Sequence, residues 1–104
     1  MTPTHSRPVA MRIQLDDGTS VVLLDMLAVS SEVPQQDVEN NIRRVTPDGH
    51  VIWQVSGTEP VYPRSPFTGM LLDENRNLIA YRWDGGQFKI DVDTGIAEPV
   101  NLAR

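Results

Sequence analysis

The first constraint on any chemistry in this 104-residue chain is that it has two histidines and no cysteine. His5 lies near the start and His50 in a Pro47-Asp48-Gly49-His50 turn. A Ser-His-Asp relay, a thiol nucleophile and a histidine or thiolate metal centre therefore lack their material. The signatures GxSxG, GxxxxGK[ST], HExxH and GxGxxG are also missing. Carboxylate chemistry remains, since glycoside cleavage needs only two acids at a defined separation. Asp25 is the acid of most interest, because it interrupts an apolar stretch where partial burial is expected; a structural hydrogen bond or a polar strand face is the simpler account. The run Asp73-Glu74-Asn75-Arg76-Asn77 starts like a calcium loop, but its sixth position is Leu78 and its twelfth is Asp84 where the loop requires Gly and Glu, so it reads as a turn. The chain is read as a non-enzyme without cofactor or metal site, with a carboxylate-dependent hydrolase as the last alternative.

Binding chemistry has more material. Tyr81 and Trp83 share one strand face, with Asp84 beside them as a hydrogen-bonding group, and offer a stacking surface for a sugar ring or a protein. For Trp53 and Trp83 alike, core packing is the competing use. Pro60, Pro63 and Pro66, with Arg64 and Tyr62 among them, have the spacing of a polyproline ligand, and a rigid linker is the plain account. Asp37 and Glu39, with Asp16, Asp17 and Glu32, make the first half acidic and suited to steering a basic partner.

Nine Lys and Arg against 14 Asp and Glu leave a net charge of −5, the wrong sign for a phosphate backbone, and nucleic acid is excluded as an expected partner. The longest apolar stretches, residues 21–24 and 26–29, fall far short of a membrane span. Residues 1–8 lack the apolar core of a secretory signal and read as a short flexible tail. A cytoplasmic protein away from membranes is expected.

Strands must position these residues. Val9, Met11, Ile13 and Leu15 alternate with polar or small residues, and Asp16-Asp17-Gly18-Thr19 supplies a tight turn before a β-rich segment over 20–29. The unbroken residues 21–24 predict a strand covered on both faces, with a short helix over 23–29 as the alternative. Residues 30–41 have the composition of a loop. Residues 42–46 and 51–55 flank the His50 turn as a hairpin, whose second strand is expected to be covered on both sides. Residues 56–66, with three prolines, cannot join the middle of a sheet and link two halves. Beyond them, residues 67–72, 78–83, 87–92 and 96–100 read as strands separated by turns, with Phe88, Ile90 and Val92 facing inward.

The run from Arg82 to Gly95, with its Asp84-Gly85 turn and Asp91-x-x-Thr94-Gly95, resembles a blade of the quinoprotein-like β-propellers. Residues 44–53, with Pro47-Asp48-Gly49 and Trp53, are similar to the turn and tryptophan strand of the same and related propellers. The Trp that follows DxxTG in those repeats is replaced here by Ile96-Ala97-Glu98-Pro99-Val100. The pattern also resembles small uncharacterised bacterial proteins, including products of mobile gene cassettes. A closed propeller takes about four to eight blades, so a single chain of this length cannot close one.

The fold expected is an all-β antiparallel meander of about seven or eight short strands in two blade-like sheets, a small sandwich or open barrel. Residues 9–104 form one domain, with sections 9–55 and 67–100 joined by the linker 56–66. The expected function is a protein-interaction module whose partner is another protein or a second copy, since unpaired sheet edges favour dimers or higher oligomers. A small lectin is the alternative. The candidate binding residues are Tyr62, Arg64, Tyr81, Trp83, Asp84, Asp37 and Glu39.

Overall fold

The computed structural model describes residues 8–27 and 32–100. Expectations that concern the tail before Pro8, the end of the predicted 20–29 segment, the start of the 30–41 loop and residues 101–104 lie outside the described residues. Strands β1 (Val9–Gln14), β2 (Ser20–Leu24), β3 (Ile42–Val45) and β4 (Val51–Gln54) form one four-stranded antiparallel sheet in chain order. Strands β5 (Phe67–Leu72), β6 (Leu78–Arg82), β7 (Gln87–Ile90) and β8 (Ala97–Pro99) form a second of the same kind. The chain is all-β, and neither sheet closes into a barrel.

Glycine at the reversed position makes the turns possible. Gly18, Gly49 and Gly85 have φ of +90°, +93° and +97° in the turns that join β1 to β2, β3 to β4 and β6 to β7, where a side chain would be strained.

β2 is the centre of the packing. All five of its residues are buried, as the unbroken apolar run requires. Val21 and Leu23 face the core shared by both sheets, with Ile42, Trp53 and Val55 from the first and Phe67, Leu78, Phe88 and Ile90 from the second. Val22 and Leu24 face the other way, into a smaller cluster with Met26, Val33 and Val38. Each such side chain contributes about 1.5–3 kcal/mol by leaving water. The second cluster explains the departure from the predicted loop over 30–41. A one-turn helix, α1 (Gln35–Glu39), forms there without a side-chain cap and buries Val38 against β2. A helix of this length is unstable alone, so tertiary burial holds it.

Other expectations are corrected. Val51 and Ile52 on β4 are exposed, because α1 covers the sheet over β2 and not over β4; only Trp53 on that strand is buried. Asp25 is exposed, just past the end of β2, and its Oδ1 accepts the Leu27 N–H at 3.2 Å. On β7 the expected pattern holds: Phe88 and Ile90 are buried and Lys89 is wet.

Several contacts join the sheets, those at two junctions among them. The Trp53 indole N–H donates to the Val92 carbonyl at 2.7 Å, and the ring lies so close to Gly95 that a Cβ there would fall 2.5 Å from Cδ2. Beside it Ser56 pairs in parallel with Ile96. At the other junction the fully buried Asn41 clamps the start of β5: its Nδ2 donates to the carbonyls of Leu24 and Phe67 at 2.6 and 2.9 Å, and its Oδ1 accepts the Phe67 N–H at 2.8 Å. The amide stands in for a strand neighbour.

The sheet edges are irregular. The register shifts at the edge strands β1 (between Val9 and Met11), β4 (opposite Arg44 and Val45) and β5 (between Phe67 and Gly69), and β8 is three residues ending in Pro99. Replacing Asn41 by Ala removes three buried hydrogen bonds and leaves their backbone partners dry; we expect a loss of about 2–4 kcal/mol. Urea unfolding checks it, as a lower midpoint at unchanged slope.

Candidate functional site

Alternation along β6 places Leu78, Ala80 and Arg82 inward and Ile79 and Tyr81 outward. Arg82 is therefore an inward cation, 2% exposed, with its guanidinium 4.2 Å from the centre of the Phe67 ring and 5.5 Å from that of Phe88. Its Nη1 donates to the carbonyls of Glu39 and Ser65 at 2.9 and 2.8 Å, and its Nη2 to the Thr58 hydroxyl at 2.5 Å. Burial pushes the guanidinium below its ordinary pKa, and the Asp84 and Glu39 carboxylates act in the opposite sense. One cation thus joins α1, both ends of the 56–66 segment and the core.

Three further bonds lay that segment on the protein. Asp84 Oδ2 accepts the Val61 N–H at 2.7 Å, Glu39 Oε2 accepts the Arg64 N–H at 2.8 Å, and the Trp83 N–H donates to the Pro66 carbonyl at 2.8 Å. Arg64 takes a left-handed φ of +61° and sends Nη1 to the Val33 carbonyl at 2.9 Å. The segment is more than a linker and is not a free polyproline ligand: the amides of Ser56, Val61 and Arg64 are tied down and Pro66 is buried.

The structure therefore brings together most of the residues singled out in the sequence, and gives them two kinds of work. Arg64, Glu39 and Asp84 hold the surface in place. Tyr62 and Trp83 are its exposed part, at 62% and 63%, and Val61 joins them at 78%. Core packing of Trp83 is overturned, since the chain leaves the sheet after Arg82 and the core ends there. Trp53 is the core tryptophan, at 8%. Tyr81 stands on the outer face of β6, opposite Gly69 of β5. Asp37 lies half-buried on α1, with no bond to the segment. Sequence reasoning missed Val61 and Arg82. The signal for Val61 is a large apolar residue among prolines, where no strand can bury it, and for Arg82 it is the alternation of β6 itself.

Beside this surface α1 and residues 59–63 enclose a groove of about 350 Å³, lined by Gln35, Glu39, Glu59, Pro60, Val61 and Pro63. A larger groove of about 460 Å³ lies at the opposite end of the second sheet, between the β5–β6 and β7–β8 turns, where Arg76, Asn77, Lys89, Asp91, Thr94 and Glu98 are among its lining residues. There the Asp73 carboxylate is occupied as a turn former, accepting the N–H groups of Asn75 and Asn77 at 2.9 and 2.8 Å. Among the described residues no group of three His, Cys, Asp or Glu is placed to hold a metal, and no helix is long and apolar enough to cross a membrane.

Residues 6–102 match a family described as Domain of unknown function (DUF7957). The chain belongs to that family. No curated protein and no solved structure matches it.

Two measurements check the placement. With Trp53 buried and Trp83 exposed, acrylamide quenches one of two emitting components, and Trp83→Phe removes that red-shifted component while the near-ultraviolet circular dichroism of Trp53 persists. The Asn77 backbone N–H, above all, holds the Asp73 carboxyl below the ordinary aspartate range. A lowered folded pKa stabilises above the unfolded value and is lost as pH falls through the folded one. Asp73→Ala should therefore lower the urea midpoint at neutral pH, with the gap to the parent closing as pH drops below about 4.

Proposed function

We propose that this protein is a non-enzymatic interaction module that binds another protein through Val61, Tyr62 and Trp83. The observation that carries the reading is large apolar side chains left in water on backbone that is held by hydrogen bonds. Exposed apolar surface in a small soluble protein marks an interaction site when it is grouped, and aromatic anchors supply much of the binding energy at interfaces. The bonds from Asp84 to Val61 and from Trp83 to Pro66 fix the segment beforehand, which lowers the ordering cost of binding.

The lectin alternative receives less support. It relied on Asp84 to bond a sugar, yet Asp84 Oδ2 already accepts the Val61 N–H and Oδ1 the Gly86 N–H at 3.0 Å. The larger groove, lined mainly by polar side chains, contains no aromatic residue. The blade-like relation between the sheets belongs to the same proposal: the two stretches that resemble propeller repeats touch, through Trp53 on Gly95, and four strands per sheet is a blade's count.

The test is photo-crosslinking in the cells that make the protein, with benzoylphenylalanine in place of Tyr62 and, as a control, in place of Glu74 on the β5–β6 turn. The expected result is a discrete protein adduct from position 62 that is absent from position 74 and lost on Trp83→Ser. An adduct of twice the chain mass identifies the partner as a second copy. No adduct, or one indifferent to Trp83, overturns the reading.

A further inference from the structure

The groove between α1 and residues 59–63 adds charge to the apolar surface. Pro60, Val61 and Pro63 form its apolar side, and Glu39 and Glu59 line the same 350 Å³. Glu39 uses Oε2 on the Arg64 N–H, while Glu59 is exposed and has no hydrogen-bond or ion-pair partner among the described residues. The nearby cations make their hydrogen bonds to other groups, and only Glu39 of the two glutamates acts on one of them, Arg82. Arg82 is buried with its bonds to Glu39 O, Ser65 O and Thr58, and Arg64 reaches Val33 O. The chain as a whole, at −5, adds a field of the same sign as the two glutamates.

We infer that this groove receives a cationic side chain, arginine before lysine, from the partner segment whose apolar residues pack on Val61, Tyr62 and Trp83. The inference rests on the interaction reading above and names the chemistry of the partner. A planar guanidinium suits the site because it lies flat on the proline surfaces while its donors meet the two carboxylates of the lining. The volume accommodates one long side chain and no folded element. An apolar anchor with an adjacent charge contact also divides the labour usual at interfaces, the anchor giving affinity and the charge giving register and on-rate.

The experiment screens a peptide library with a fixed central arginine, flanked by randomised apolar and aromatic positions, against the full chain, and repeats the best binders with citrulline at the centre. The expected result is binding that shifts the amide signals of Glu59 and Val61 and the Trp83 indole N–H, and that weakens as salt is added. Glu59→Gln, which removes no internal bond, lowers affinity about three- to tenfold, and citrulline lowers it at least as much. Binders that tolerate citrulline and Glu59→Gln but fail against Trp83→Ser overturn the cationic inference and leave the apolar reading standing. A library without binders overturns the inference as well, and the fate of the interaction reading is then decided by the Tyr62 adduct alone.

Discussion

A guanidinium buried against two phenylalanine rings is the contact on which the candidate surface depends. Taking the Arg82 cation out of water is costly, and the cost is offset in part because carbonyls, a hydroxyl and ring faces replace the hydration lost by its terminal nitrogens, while the buried Nε has no partner among the described residues. Those partners come from α1, from both ends of the proline segment and from β5, elements with no sheet pairing to one another. Geometry demanded by one planar group therefore fixes the relative position of three irregular pieces of chain. A lysine would carry the charge without the fork and could not reach the same set.

The same economy appears at Asn41 and at Trp53. Where strands cannot pair because the chain passes from one sheet to the other, a side-chain amide or an indole N–H takes over the backbone's donor and acceptor duties. Apolar burial holds the sheets face to face, and these few polar bonds decide their register. β2 illustrates the division. Its two faces serve two clusters, one shared with the second sheet and one with α1, so a five-residue strand organises most of the first half.

The all-β plan was legible in the sequence, because alternation and Asp-Gly turns are local signals that act within a few residues. The unbroken Val21 to Leu24 run also announced a doubly covered strand. What covers it was not legible: α1 is too short to show a helical period, and its formation depends on Val38 finding β2. Burial at the ends of elements misled for a related reason. Trp83 and Ile52 carry the residue types of a core, but whether a neighbour lies over them is a fact of tertiary placement. Of the candidate site, composition pointed to Tyr62, Trp83 and the prolines; the roles of Arg64, Glu39 and Asp84 as fasteners appear only when their hydrogen bonds are seen.

The register shifts on the outer strands bear on how this molecule can associate. An open, regular edge invites one copy after another to add on, and growth of that kind has no natural end. Here an extra residue interrupts three of the outer strands, and the fourth is short and ends in proline. The three most exposed large apolar side chains among the described residues, Val61, Trp83 and Tyr62, sit instead on a turn and on an irregular segment. A contact proposed there adds no strand to either sheet, so it does not template the edge-to-edge growth that ends in a fibre.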